Sequence, residues 1–293
     1  MMEGVTAPAI FDMALAGTRL ERAVATRREG FKADFLLIRA AGELSERLAA
    51  ILREFRNIAD IGTPDAGFGR AAQQDRPGAT LDAVPFAALA SAGGLALPAA
   101  GFDLALSGLV LHQVNDLPGA LAQIRRLLRP DGLFMACLPA GRTLQELREC
   151  LAEAEMQVLG GISPRVAPFA DIRDLGALLQ RAGFALPVTD SELLTLRYDN
   201  LFALMADLRA MGATNALTDR LRRPTPRALF LRAAELYAER FSDSDGRIRA
   251  TIELVWLAGW APHDSQQKPL RPGSAKMRLA EALGVPERPL RDR

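Results

Sequence analysis

The sequence predicts an α/β protein with a mainly parallel, doubly wound sheet, a helical lead-in and added C-terminal helices. Two observations carry this prediction. Residues 101–139 place two short apolar runs on either side of an amphipathic helical stretch, which is the pattern of a parallel βαβ unit. Further upstream, the short apolar run at 57–61 breaks into a glycine-containing segment at 62–69, as a strand does where it enters a loop.

Each element follows from a local pattern, taken in chain order. Apolar residues recur every three or four positions between Arg19 and Phe55 and predict an amphipathic helix. Apolar or alternating runs predict strands at residues 57–61, 79–83, 102–106, 133–138, 192–198 and 247–260. Helical spacing predicts helices at 117–128, 143–159, 170–182, 200–211 and 225–240, the first of them capped by Asp116.

The length of the chain fits one main domain with additions, because a single core stops growing near this size. We expect a helical lead-in over residues 1–55 and the sheet domain over 56–262. Within that domain we expect a helical insertion at about 199–240. The tail, residues 263–293, contains proline and basic residues and is predicted to be irregular.

The composition excludes several classes of function. A net charge of +1 provides no overall field that would attract nucleic acid. With only two cysteines and two histidines, no metal site is predicted. No apolar stretch reaches the roughly 18 to 20 residues that cross a bilayer, and the first residues, which include Glu3 and Asp12, do not resemble a secretory signal. We therefore expect a cytoplasmic protein without a transmembrane segment.

Candidate functional residues lie where the predicted strands end, because doubly wound sheets bind ligands beyond the carboxyl ends of their strands. This rule brings together residues 60–69 and 107–116. In the first segment, Gly62 and Gly67 either let the backbone approach a ligand closely or merely shape an ordinary turn. In the second, His112 is the one candidate catalytic residue, as a general base or hydrogen-bond donor, although a lone histidine is more often structural.

A basic cluster surrounds two prolines late in the chain and consists of Arg220, Arg222, Arg223 and Arg227. Such a cluster either meets an acidic partner or borders a helix. The sequence leaves both interpretations open.

The block at 102–138, FDLALSGLVLHQVNDLPGALAQIRRLLRPDGLFMACL, resembles the fourth-strand to fifth-strand region of class I methyltransferases. Later segments resemble, in order and spacing, the methyltransferase-like assembly factor of respiratory complex I: TLQELRECLAEAE (143–155), GGISPRVAPFADIRDLGALLQRAGFALPVTD (160–190), LFALMADLRAMGATNA (201–216) and HDSQQKPLRPGSA (263–275). The resemblance implies a Rossmann-like class I methyltransferase fold with S-adenosylmethionine as its cofactor. It further implies a transferase-like enzyme that hydroxylates a protein arginine, with a complex I subunit as its partner.

Carried over residue by residue, the resemblance implies a cofactor site at the strand ends, made of Asp60, Gly62, Gly67, Ser107 and Gly108, with Asp82 on the ribose hydroxyls. Pro64 and Ala66 stand where the family has further glycines. Proline removes an N–H donor, and an alanine side chain crowds the approach of a ligand to the backbone.

Two alternatives to a complex I assembly factor therefore remain open. One is a small-molecule or acyl-carrier methyltransferase of the biotin-synthesis type. The other is a non-catalytic assembly or binding module with a degenerate cofactor loop, because a fold alone does not fix a function.

Overall fold

The structure is a computed structural model that describes residues 8–28, 34–91, 93–267, 281 and 284. Its internal contacts group the chain into two units, Met1–Pro262 and His263–Arg293. All helices and strands named below belong to the first unit. Most of the predicted irregular tail lies outside the described residues. The division into lead-in, sheet domain with insertion, and tail stays a prediction.

Six strands form one sheet: β1 (Asn57–Ile61), β2 (Thr80–Val84), β3 (Phe102–Gly108), β4 (Leu128–Ala140), β5 (Ala185–Tyr198) and β6 (Ile248–Trp260). Their order is β2-β1-β3-β4-β6-β5. The first four strands in this order run parallel to one another. Strand β6 is antiparallel to both of its neighbours.

Eight α-helices lie within the described residues: α1 (Met13–Arg28), α2 (Phe35–Ala49), α3 (Gly67–Gln74), α4 (Leu117–Leu127), α5 (Gln145–Leu159), α6 (Ile172–Arg181), α7 (Leu201–Ala210) and α8 (Arg227–Phe241). Helices cover both faces of the sheet, so the predicted doubly wound α/β architecture is confirmed. No helix in this part of the chain is long and apolar enough to span a membrane.

The apolar core forms one layer on each face of the sheet. On one face, Ile58 and Leu106 pack with buried residues of α2, α5 and α8. On the other face, Ala59 and Ala105 pack with α1, α4 and α6. Both layers are built from neighbouring residues of the same strands, since successive side chains of a strand point to opposite faces. Burial of each large aliphatic side chain contributes on the order of 1.5–3 kcal/mol.

The predicted lead-in helix is partly wrong at its C-terminal end. Helix α2 ends at Ala49, and the chain from Ile51 to Arg56 is not helical. Leu52 lies within the predicted helix, but its side chain is fully exposed. The stripe that packs on the sheet is complete at Leu48, so no further burial favours continuing the helix.

Two strands are longer than predicted. Strand β5 begins at Ala185 because it pairs with β6 almost along its whole length, including the half that was not predicted. Strand β4 begins at Leu128, which lies opposite Phe102 across a register shift. Residues 130–132, which separate the predicted helix at 117–128 from the predicted strand at 133–138, therefore lie within β4, with Asp131 at a φ of 63°.

Candidate functional site

The loop after β1 is held by a buried carboxylate. Asp60 accepts hydrogen bonds from the backbone N–H groups of Thr63 at 3.3 Å and Gly69 at 2.6 Å. Burial raises its pKa to about 6, and these hydrogen bonds offset only part of that effect. Asp60 therefore ties both ends of the loop to β1, which is a role in shaping the loop rather than in direct contact with a ligand.

Ser107 and Gly108, predicted as cofactor contacts, join the end of β3 to the same loop. The hydroxyl of Ser107 donates to the carbonyl oxygen of Ile61 at 2.7 Å. The N–H of Gly108 donates to Thr63 Oγ1 at 2.8 Å. A Cβ at position 108 would lie 2.8 Å from the ring of Phe68, so this packing requires glycine. Both residues direct their polar groups into the protein.

The two residues that replace the expected glycines have distinct effects. Pro64 is buried and carries no N–H. Ala66 has a φ of 50°, in the left-handed region that favours glycine. Its N–H donates to the carbonyl oxygen of Thr63 at 3.0 Å. Gly67 has a φ of −60° and starts α3, so an ordinary helical conformation is sufficient there.

The backbone at Gly62 is closely packed, which restricts the approach of the nucleoside part of S-adenosylmethionine. Gly62 has a φ of +78°, but a Cβ there would meet Val110 Cγ2 at 3.0 Å and Leu89 Cδ1 at 3.1 Å. Apolar side chains thus already lie against the backbone that a cofactor would approach. Strand β2 ends at Val84, and the exposed Asp82 lies two residues before that end. No described carboxylate stands at the end of β2.

Helix α1 contributes to the apolar packing around Gly62. Its buried residues Ala16 and Leu20 belong to the apolar cluster that also contains Phe86 and Val110. A Cβ on Gly17 would lie 3.7 Å from the ring of Phe86, which places the helix directly against the turn that follows β2. The crevice on the β2 side is therefore filled by the protein itself.

A cavity of about 310 Å³ lies beside the loop. Pro64, Leu109 and Pro139 line it from the ends of β1, β3 and β4. The segment after β5 supplies another part of its wall, including Met205, Leu208, Arg209, Met211, Asn215 and Phe230. The lining is mostly apolar, with a few polar groups, which is the usual composition of a small-ligand site.

His112 lines this cavity from the turn that follows β3. Its Nε2 lies 3.1 Å from the side-chain nitrogen of Gln113, and its ring centroid is 5.8 Å from that of Phe169. Its Nδ1 is buried and has no hydrogen-bond partner among the described residues. Burial lowers its pKa to about 4, so the ring is neutral at physiological pH.

Asp34 is the one carboxylate that lines the cavity within the described part of the chain. It occupies the N-cap position of α2, but its side chain makes no capping hydrogen bond. Its oxygens are thus not used by the helix terminus next to them. A positively charged group in the cavity would find its countercharge here.

The N-terminal segment fastens the cavity wall to the end of β3. Phe11 exchanges two hydrogen bonds with the side chain of Asn115, each of 2.8 Å. Arg19 donates to the carbonyl oxygens of Thr214 at 3.0 Å and Asn215 at 2.5 Å. These bonds satisfy backbone groups of a wall that has no regular secondary structure.

Sequence patterns placed Thr63 in the loop at 60–69 without giving it a role, and they did not identify Asp34 or Phe11 as parts of this region. The hydroxyl of Thr63, next to Gly62, was a usable signal for a residue that stabilises a loop. The other two reach the cavity only through contacts between distant parts of the chain. Of the predicted residues, His112 lines the cavity, whereas Asp60, Ser107 and Gly108 form the network beneath the loop.

The described residues contain no group of three or more His, Cys, Asp or Glu side chains that would hold a metal ion. Cys137 and Cys150 are buried and free, and burial raises the pKa of both thiols. A buried neutral thiol is a poor nucleophile.

Residues 36–187 match the family model described as methyltransferase domain. Arginine-hydroxylase NDUFAF5, mitochondrial, from Dictyostelium discoideum is 46% identical over 184 residues, which are 62% of this chain and 42% of that protein. The protein of the same name from Rattus norvegicus is 36% identical over 291 residues, which are 93% of this chain and 83% of that protein. Malonyl-[acyl-carrier protein] O-methyltransferase from Xylella fastidiosa is 39% identical over 163 residues, 56% of this chain and 53% of that protein.

These comparisons confirm the resemblance inferred from the sequence and the predicted Rossmann-like class I methyltransferase fold. The biotin-synthesis type of relative is also found, but it is less similar than the arginine-hydroxylase type. The expectation of a cytoplasmic setting is wrong, because the NDUFAF5 relatives are named as mitochondrial. The chain spans less than half the length of the Dictyostelium protein that it matches.

Proposed function

The chain belongs to the methyltransferase-domain family, and from that premise we propose that it modifies an arginine side chain of a protein partner. The observation that carries this proposal is the relationship to the rat arginine-hydroxylase NDUFAF5, which extends over 93% of the chain. The part of this chain that the match to the rat protein does not cover is shorter than the stretch from Leu201 to Phe241. Part of the segment that walls the cavity is therefore shared with that relative.

The cavity supports an arginine as the residue that is bound. Apolar side chains such as Leu109, Leu147 and Met205 line it and suit the aliphatic stem of an arginine. Asp34 offers a carboxylate to the guanidinium group, which carries only hydrogen-bond donors. His112, neutral at physiological pH, places a second polar group at the cavity without adding a competing positive charge.

For the partner we propose a subunit of respiratory complex I, following the resemblance to the assembly factor. The setting carried over from the relatives is mitochondrial and replaces the cytoplasmic expectation. Both statements rest on relatives whose lengths this chain matches to different extents.

For the cofactor we propose S-adenosylmethionine, bound weakly and only after Leu89 and Val110 move away from Gly62. The family of the domain supports the identity of the cofactor. The packing at Gly62 and the missing N–H of Pro64 support weak binding. The same two observations favour, as a second candidate function, an assembly module that binds its partner without this cofactor.

Deletion of the gene tests the proposed function. We expect membranes from the deletion strain to lose NADH oxidation by complex I and to regain it with the wild-type gene. Succinate oxidation, which does not use complex I, is the control for membrane quality. Normal NADH oxidation in the deletion strain would contradict the proposal.

A further inference from the structure

Four arginines with exposed side chains stand at or near the rim of the cavity: Arg209, Arg222, Arg223 and Arg227. Arg209 itself lines the cavity. None of the four forms an ion pair with another residue that the structure describes. By contrast, Arg220, in the same loop as three of them, is paired with Asp12 at 3.1 Å.

The loop that carries three of these arginines is attached to the cavity wall at two points. At its start, Arg220 pairs with Asp12, the neighbour of the cavity residue Phe11. Near its end, Thr225 Oγ1 accepts a hydrogen bond of 3.0 Å from Arg165, which lines the cavity. Arg222 and Arg223 do not line the cavity themselves, but they lie on the short stretch between these attachments and thus close to its wall.

Arg165 is itself held firmly, which fixes the second attachment. Its guanidinium donates to both carboxylate oxygens of Glu155, at 2.9 and 2.8 Å. Glu155 is buried, and the side chain of Arg165 is only 13% exposed. The pairing with Arg165 and the hydrogen bonds from Ser163 lower the pKa of Glu155 to about 2 despite its desolvation, so the pair stays ionised throughout the physiological range.

Positive charge is concentrated at this part of the surface. Burial and the nearby charges of Arg220 and Arg22 lower the pKa of Arg19, which lies against the same wall segment. The whole chain, however, has a net charge of only +1. A local excess of cations on a nearly neutral protein directs recognition to one surface, since opposite charges steer partners and fix their orientation.

We propose that this basic rim, defined as Arg209, Arg222, Arg223 and Arg227, docks an acidic segment of the partner polypeptide next to the residue that enters the cavity. The inference rests on the proposed function only for the statement that the docked polypeptide is the one modified. A nucleic acid is disfavoured, because its binding strengthens with the number of phosphates that the protein contacts, and this rim is small. The rim offers four exposed guanidinium groups at the mouth of a cavity of side-chain size.

The docking is tested by fluorescence anisotropy with the full chain and a labelled peptide of alternating glutamate and glycine. The double variant Arg222→Glu/Arg223→Glu should bind this probe at least about tenfold more weakly at low salt, because two attractions become repulsions. The matched control is Arg126→Glu/Arg181→Glu, which makes the same change of charge. Both control residues are exposed at the C-terminal ends of α4 and α6, which lead into the N-terminal ends of β4 and β5, opposite the strand ends that line the cavity. The control should bind the probe like the wild type.

Three results would overturn the proposal. The wild type fails to bind the acidic peptide, the control variant loses as much affinity as the rim variant, or a single-stranded oligonucleotide of equal charge binds more tightly than the peptide. Melting curves of both variants verify that they fold. An Asp34→Asn variant should still bind the probe, so loss of docking and loss of arginine modification can be told apart.

Discussion

The carboxylate of Asp60 accepts the N–H of Gly69 at 2.6 Å inside the protein, across the whole length of the loop that follows β1. This bond makes Asp60 a residue that maintains the loop, although the loop lacks two of the glycines that the family resemblance leads one to expect. The same carboxylate has a raised pKa because it is desolvated. Its charge therefore lowers the stability of the folded chain near neutral pH, even though its hydrogen bonds organise the loop.

Asp60 should make the free energy of unfolding depend on pH in a defined range. Its folded pKa of about 6 exceeds the ordinary value near 3.9. Between these values the folded chain keeps a proton that the unfolded chain has lost, so stability falls as pH rises from about 4 to about 6. Over this range the free energy of unfolding of the wild type should fall by roughly 3 kcal/mol because of Asp60. Urea unfolding of Asp60→Asn should lack this fall. If the free energies of unfolding of the wild type and Asp60→Asn differ by the same amount at every pH in this range, the account is contradicted.

Thr63 should contribute to stability through its hydroxyl. Thr63→Val removes the acceptor of the Gly108 N–H and leaves that donor buried and unpaired. We expect a loss of about 1–3 kcal/mol in urea unfolding. Thr63→Ser retains the hydroxyl and should lose less than half as much. Thr63→Val keeps the methyl group of threonine and Thr63→Ser removes it, so a larger loss in Thr63→Ser than in Thr63→Val would show that methyl packing, rather than the hydrogen bond, is responsible.

Leu89 should limit the binding of S-adenosylmethionine. Its Cδ1 lies 3.1 Å from the position that a Cβ on Gly62 would take. Leu89→Ala should therefore strengthen cofactor binding about tenfold, which corresponds to 1.4 kcal/mol, as measured by isothermal titration calorimetry. Leu97→Ala, another partly buried leucine of the same layer, is the control. Unchanged affinity in Leu89→Ala would remove the argument that this side chain blocks the cofactor.

His112 should stay neutral over the physiological pH range. Its pKa is lowered to about 4 by burial, so its imidazole resonances should not shift between pH 5 and 8 in nuclear magnetic resonance spectra. His263, the only other histidine, is exposed and serves as the internal reference signal. A titration of His112 near neutral pH would mean that the cavity admits water or an anion beside the ring.

The central part of the fold was predictable because its strands are buried on both faces. Strand β3 and helix α4 give strong local patterns, and Asp116 caps α4 by accepting the Gly119 N–H at 2.8 Å. The first half of β5 gave no such pattern. It lies at the edge of the sheet, where side chains alternate between partial and full exposure, and it is defined by its pairing with β6.

The cavity could not be predicted because distant segments build it. Phe11 and Asn115 are separated by 104 residues and meet through hydrogen bonds that leave no periodic signal in the sequence. The loop after β1 was located correctly from its glycines. Whether its neighbours leave Gly62 accessible depends on Leu89 and Val110, which the local sequence does not relate to that glycine.

The most direct test of the central claim is mass spectrometry of arginines in the complex I subunits. Strains should carry the wild-type gene, a deletion, Asp34→Asn, or the control Asp219→Asn, an exposed carboxylate near the basic rim. We predict that one arginine carries an added oxygen atom in the wild type and the control, and lacks it in the deletion and in Asp34→Asn. An arginine pattern that is identical in the wild type and the deletion strain would contradict the account.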